Sequence, residues 1–354
     1  MKYLFIALLL GMLSMPEASA QLDSNQSDFD EFMDRSGNRY RSASGKPGPD
    51  YFQNEADYEI KVALDPETHQ VKGQITMEYT NNSPEDLDYV WMYLEQNRFT
   101  EDSRGTLTTP VEGNRYNGDP LDGVKITNLQ SKVKRSTSTE HLITDTRMQV
   151  FFGEPLKAKG GKAEVSMNFE FEVPVNGMDR MGRLSTKNGE IYAMAQWFPQ
   201  VAVFDDIEGW NVEPYLGAGE FYYDYGNFEV EITVPHNYLV VASGELQNPR
   251  DVLSSKVYDR YKKALESQET VTLISSEEIG DSSMFASQSG TQTWEYSIEN
   301  SRDFAFATSK AFIWDAAQFN LPSGQTGLAH SAYPIESNGQ DAWSRSTEYS
   351  KASI

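Results

Sequence analysis

The 354-residue chain contains no cysteine. Disulfide frameworks, thiolate zinc ribbons, iron–sulfur clusters and cysteine nucleophiles are thereby excluded. Positive charge is the second scarcity. Thirty Lys and Arg stand against 53 Asp and Glu, a formal net charge of −23 with a pI near 4.5. Phosphate recognition needs clustered Lys and Arg, so no nucleic-acid partner is expected. The same sign works against adhesion to an anionic membrane face. Histidine is scarce too: His69, His141, His236 and His330 are scattered, and no H-E-x-x-H occurs. That spacing is what sets two imidazoles of one helix on a single zinc ion, so no metal-ligating set is readable here. Neither a G-x-S-x-G elbow nor a G-x-x-x-x-G-K-[ST] loop is present. Gly217-Ala218-Gly219 opens like a dinucleotide fingerprint but continues Glu220-Phe221-Tyr222, which leaves nucleotide binding without support.

Long apolar runs are missing as well. The longest, Tyr3 to Leu13, falls short of the ~20 residues a spanning helix needs, so no membrane span is expected. Lys2 precedes this run and Ala18-Ser19-Ala20 follows it. The three parts together have the form of a signal peptide over residues 1–20, which implies an exported protein, periplasmic or extracellular. Cleavage after Ala20 removes Lys2 and Glu17 together, so the mature chain stays acidic.

Aromatic residues are plentiful. Six Trp, 19 Tyr and 18 Phe make 12% of the chain, enough to build a sizeable core. Residues 21–50 are polar, rich in Ser, Asp and Gly, and read as an extended arm. From Tyr51 the pattern changes. Tyr58, Ile60, Val62 and Leu64 alternate with polar residues, as do Val71, Gly73, Ile75, Met77 and Tyr79. Met148 to Phe152, Val165 to Val173 and Phe228 to Val234 repeat the period-two pattern of half-buried strands. Leu87 to Leu94 is denser and fits a strand covered on both faces. Lys159-Gly160-Gly161-Lys162 carries a hairpin signal. One clear helix is expected, Asp251 to Glu266, with Val257, Tyr261 and Leu265 on its buried face. Asp341 to Ile354 reads as a second helix beginning at an Asp341 cap, and it runs to the last residue without a stop signal. The fold class is therefore mainly β, with sandwich-like sheets.

Carboxylates are too abundant for pairs to be telling. Asp205-Asp206-Ile207-Glu208-Gly209 supplies oxygen ligands suited to calcium, but it lacks the spacing of an EF-hand loop and is read in preference as a solvated acidic loop. The densest aromatic segment runs from Ile191 to Phe228. It fits either a core assembled from loops or a platform on which a peptide or a glycan stacks. Gln196 stands out within it, a lone amide between Met194-Ala195 and Trp197-Phe198-Pro199.

Four segments of this region, Ala195-Gln196-Trp197-Phe198-Pro199, Glu208-Gly209-Trp210, Gly219-Glu220-Phe221-Tyr222 and Phe228 to Pro235, occur in a familiar order. With Gly73 to Met77 and Asn300 to Ile313, they make residues 51–354 resemble the N-terminal part of the aminopeptidase N-like zinc metallopeptidases (gluzincins), in a form typical of exported bacterial members. The resemblance implies a saddle-like β-sandwich N-terminal domain over residues 51–312. Residues 313–354 would be the incomplete start of an α/β catalytic domain. It also implies a peptide substrate, zinc as the cofactor of the full-length enzyme, and a missing C-terminal catalytic domain as partner. The family's H-E-x-x-H and G-x-M-E-N motifs are absent from this sequence. The chain is accordingly expected to be an N-terminal fragment that binds no zinc, has no catalytic residue of its own and is not active alone. The resemblance assigns Gln196 a place in the substrate pocket. A non-catalytic module binding peptide or glycan through the aromatic segment is the alternative.

Overall fold

The computed structural model describes residues 36–108, 119–175, 180–217, 219–339 and 341–354. The signal-peptide reading of residues 1–20 and the first part of the polar arm lie outside the described residues. The chain divides into two compact units, Met1–Tyr51 and Phe52–Ile354. In the first, Asn38 Oδ1 accepts the backbone N–H groups of Tyr40 and Arg41, both at 2.8 Å. Such Asx bonding stands in for a backbone turn.

The second unit is mainly β. Its strands begin with β1 (Glu55–Asp65), β2 (Gln70–Asn81) and β3 (Leu87–Tyr93). There follow β4 (Lys125–Val133), β5 (Ser136–Ser138), β6 (His141–Thr144), β7 (Arg147–Leu156) and β8 (Gly161–Glu172). Next come β9 (Gly182–Thr186), β10 (Gly189–Met194), β11 (Gln200–Val201), β12 (Phe204–Asp205) and β13 (Gly209–Trp210). After them lie β14 (Gly226–Pro235), β15 (Leu239–Ala242), β16 (Glu245–Leu246) and β17 (Val271–Ile274). The last four are β18 (Thr291–Ser301), β19 (Phe306–Ser309), β20 (Phe312–Asn320) and β21 (Thr326–Pro334).

An eight-stranded sheet in the order β16-β18-β14-β1-β2-β8-β4-β5 forms the frame. Its strands bury the residues that the period-two pattern selects: Tyr58 to Leu64 in β1, Val71 to Tyr79 in β2, Val165 to Phe171 in β8 and Phe228 to Val234 in β14. Asp65 starts the β1–β2 turn by accepting the Glu67 N–H at 2.9 Å and the Thr68 hydroxyl at 2.8 Å. In β2, Gly73 pairs with Phe169 of β8. A Cβ at Gly73 would lie 2.3 Å from Phe169 Cζ. The ring therefore covers the glycine, as aromatic residues do when they shield a strand glycine. β1 and β14 run parallel, an arrangement a hairpin cannot make.

Two four-stranded sheets, β11-β3-β7-β6 and β15-β19-β10-β9, and the smaller β17-β20-β21 sheet enclose a continuous core with this frame. β3 buries Leu87, Val90 and Met92, while Tyr89, Trp91 and Tyr93 on its other face are half-covered rather than fully buried. The expected Lys159–Lys162 hairpin does not form, because β7 and β8 belong to different sheets. The turn instead donates from Lys159 N–H to the Ser83 carbonyl (2.9 Å) and from Gly160 N–H to the Asn81 carbonyl (2.7 Å). The end of β2 thus accepts the bonds that a β7–β8 ladder would otherwise supply.

The expected helix is split into α2 (Pro249–Val252), numbered after the short α1 (Arg104–Thr108), and α3 (Ser255–Glu266). Ser254 caps α3 by accepting the Val257 N–H, the usual role of an N-cap serine. Val257, Tyr261 and Ala264 face inward, and Leu265 is exposed. The last helix, α4 (Ser346–Ser353), begins five residues after Asp341. Residues before it are held in turns, with Ala342 N–H on Gly339 O and Trp343 N–H on Ser337 O. β20 pairs with both β17 and β21, so the segment from Phe312 packs against Val271–Ile274.

Candidate functional site

Gln196 follows β10 in the left-handed backbone region, at φ 50°, a conformation that costs a residue with a Cβ and is kept where surroundings hold it. Its carbonyl accepts Gln96 Nε2 at 2.7 Å, and the residue is 5% exposed. The turn delivers Trp197 and Phe198 into the core. Trp197 Nε1 donates to the Phe304 carbonyl at 2.9 Å, and its ring meets Phe306 edge-on at 5.2 Å. Phe198 packs edge-on against Tyr58, whose ring stacks on Phe228 at 4.9 Å. These aromatics act as core.

Downstream the same segment opens into a surface cavity of 620 Å³ between β13 and Tyr223. Tyr93, Trp210, Tyr215, Phe221, Tyr222 and Tyr223 line it, together with Glu208, Glu213 and Glu220. Phe221 stacks on Tyr223 with centroids 6.0 Å apart and meets Tyr215 at 5.1 Å. Side chains from behind pin the wall. Arg147 donates to the Val212 carbonyl at 2.7 Å and Arg98 to the Leu216 carbonyl at 3.0 Å. Tyr93 donates its hydroxyl proton to the Asn211 carbonyl at 2.9 Å, and Tyr215 N–H donates to Thr146 Oγ1 at 2.8 Å. A loop tied at its carbonyls by buried or half-buried donors is preformed, which suits a binding surface.

Below the cavity floor, the Tyr223 hydroxyl donates to the buried carboxylate of Glu95. Burial pushes the Glu95 carboxyl up to about 7, against the opposing pull of the Tyr223 hydrogen bond. Burial also lifts Asp224 to about 7, helped by the charge of Asp205, and Asp303 to about 6. Desolvation disfavours the ionised form of each group. Tyr93 is pushed up to about 12, first by burial and then by the charge of Glu95, with Glu213 contributing and Arg147 opposing.

The other candidate positions resolve differently. Asp205 accepts the Ile207 and Glu208 N–H groups at 3.0 and 2.9 Å, so its carboxylate shapes the β12–β13 turn. Among the described residues no three His, Cys, Asp or Glu side chains are placed to hold a metal ion. His69 Nδ1 meets the Tyr192 hydroxyl at 2.7 Å, and His141 Nδ1 lies 3.0 Å from the Thr139 carbonyl. His236 Nδ1 lies 3.4 Å from the Gly290 carbonyl. His330 accepts Trp314 Nε1 at 3.1 Å, and burial lowers its pKa to about 4. Glu95, Gln96 and Arg98 escape a reading of the sequence. They form a buried polar turn straight after β3, and nothing local marks a Leu-Glu-Gln-Asn-Arg-Phe stretch as interior.

No protein-family model matches this chain, and no curated protein does. Solved structures do resemble it. One is an M1 zinc metallopeptidase from Deinococcus radiodurans, 12% identical over 85% of this chain and 53% of that one, with a TM-score of 0.43. A point mutant of that enzyme bound to a Tyr-Ser-Ala substrate matches at 11% identity and TM-score 0.43, over 84% of this chain and 52% of that one. A two-domain M1 zinc metallopeptidase mutant bound to L-tryptophan is 11% identical over 86% of this chain and 54% of its own, again with a TM-score of 0.43. The chain thus spans about half the length of these structures. Among the described residues, no helix is long and apolar enough to cross a membrane.

Proposed function

We propose that this chain is the N-terminal part of an exported zinc-dependent aminopeptidase of the gluzincin type, and that Gln196 contributes to its peptide pocket. One observation carries the reading. Three of the four aromatic segments on which the resemblance rests meet in one core: Gln196 is tied to Gln96, Trp197, Phe198 and Phe228 lie within the core, and Trp210 packs against it, edge-on to Phe204 at 5.2 Å, while Gly219–Tyr222 stays at the surface. Ordered motifs that assemble one packing unit support a shared architecture better than motifs scattered over a surface.

Among the described residues no three His, Cys, Asp or Glu side chains are placed to hold a zinc ion. In this reading the metal and the base that activates water belong to the catalytic domain, and no hydrolytic step is assigned to residues of this chain. Its own contribution in this reading is a wall of the pocket at the Gln196 turn, whose carbonyl is tied to Gln96. Residues 1–20 would direct export.

The test is to sequence the coding DNA beyond codon 354, express the whole frame, and measure release of N-terminal residues from peptides with and without a chelator. Chelator-sensitive aminopeptidase activity, with KM raised by Gln196→Ala, is the expected result. A stop codon directly after Ile354, or a longer product without such activity, overturns the reading. The 620 Å³ aromatic cavity favours a second reading, in which the domain binds a peptide or glycan by itself.

A further inference from the structure

We infer that the aromatic cavity between β13 and Tyr223 is a binding site for a basic side chain of a peptide, with arginine the best fit. The inference rests on the second reading, that this segment takes a ligand, and it is independent of any zinc centre.

The chemistry facing the cavity is of two kinds. Phe221 and Tyr223 are stacked, and Tyr93 meets Tyr223 edge-on at 6.3 Å, so aromatic faces and edges crowd the interior. Aromatic faces carry partial negative charge and attract cations, guanidinium groups above all. The rim bears Glu208, Glu213 and Glu220, all exposed, and no Lys or Arg is among the lining residues. Glu220 faces Arg180 at 3.3 Å, whereas Glu208 and Glu213 pair with no Lys or Arg among the described residues. Of the nearby cations, Arg147 and Arg98 sit behind the wall, directed at the carbonyls of Val212 and Leu216, while Arg180 lies against Glu220 and Phe221.

The chain itself supplies an instance of the recognition unit. The Arg180 guanidinium lies over the Phe221 ring at 5.6 Å while contacting Glu220. One carboxylate and one aromatic face thus already hold a guanidinium, and Glu208 and Glu213 offer the carboxylate half again beside further rings. A planar guanidinium stacks on an aromatic face and bonds a carboxylate bidentately, which an ammonium cannot do. The excess of acid over the whole molecule, −23, draws such ligands in further.

The experiment is an NMR titration of the chain with a blocked tripeptide, N-acetylated and C-amidated Gly-Arg-Gly, reading the amide resonances of Phe221 to Tyr223 and the Trp210 indole. Blocked ends keep a peptidase subsite for a free amine out of the comparison. The same peptide with citrulline, the neutral isostere of arginine, is the control, and maltotriose probes the glycan alternative. Saturable shifts confined to these residues are expected, with citrulline binding about tenfold weaker and added salt weakening the arginine peptide. The double variant Glu208→Gln, Glu213→Gln alters exposed side chains only and is expected to weaken arginine binding roughly three- to tenfold. Phe221→Leu is a second, independent probe of the ring contribution, expected at roughly threefold. Equal binding of the citrulline peptide overturns the basic-side-chain inference while leaving a ligand site standing. Shifts with maltotriose alone replace peptide with glycan. No shift with any probe up to roughly 10 mM, an affinity weaker than about 3 kcal/mol, overturns the ligand reading as well.

Discussion

Glu95 provides the sharpest test of the reasoning about this interior. Its carboxyl is 2% exposed, accepts the Tyr223 hydroxyl, and titrates near 7 because burial penalises the anion. In the unfolded chain the same group titrates near 4.5. Between those values the unfolded state loses a proton that the folded state keeps, so stability falls as pH rises. The contribution is fully present below pH 4.5 and is lost as pH climbs through 7. At 1.36 kcal/mol per pKa unit the whole effect is about 3 kcal/mol, of which roughly 2–3 kcal/mol falls between pH 5 and pH 8. Asp224 and Asp303 shift in the same direction, so the wild type slopes more steeply than Glu95 alone requires. Glu95→Gln keeps an acceptor for Tyr223 and removes the proton. Urea unfolding followed by tryptophan fluorescence at pH 5 and pH 8 isolates the term. The variant should gain about 2–3 kcal/mol on the wild type at pH 8 relative to pH 5. A double difference within a few tenths of a kcal/mol, or one of opposite sign, would refute a protonated Glu95 in the fold.

Two further expectations concern the eight-stranded sheet and the Glu278 contact with α3. Gly73→Ala places a methyl against the Phe169 ring, which is itself buried and paired across the ladder, so a loss of about 1–3 kcal/mol in urea unfolding is expected; an unchanged midpoint would contradict the ring-over-glycine packing. Glu278 is held at about 2, chiefly by the Arg260 guanidinium, with Lys256 and the Ser275 N–H assisting. Its folded pKa lies below the unfolded one, so its support exists above about 4.5 and disappears as pH falls toward 2. Glu278→Gln should lower stability at pH 7 and flatten the acid limb between pH 4.5 and 2, which acid titration followed by circular dichroism would read.

Much of the strand content is local information. Alternation over Tyr58–Leu64, Val71–Tyr79, Val165–Val173 and Phe228–Val234 names the buried face of each strand, and these faces are buried. The period arises because successive side chains point to opposite sides of a strand, a property of the chain itself. The same local logic misses where a second force competes. The α3 face shifts from Leu265 to Ala264, and α4 starts at Ser346 because turn bonds hold the residues after Asp341.

Neighbours are not local information. Nothing in the period of β1 says that β2 lies on one side and β14, about 170 residues away, runs parallel on the other. The turn at Lys159–Lys162 looks like a hairpin until the end of β2 supplies its acceptors. The site divides in the same way. Composition placed the aromatics and Gln196 in one segment, but Gln96 reaches Gln196 across 100 residues and Tyr223 reaches Glu95 across 128. The sequence by itself determined a mainly β, acidic, cysteine-free chain with its aromatics concentrated between Ile191 and Phe228. Which of those rings became core, and which line a cavity, was decided only by the tertiary structure, because burial and proximity arise from pairings between distant strands that no local period encodes.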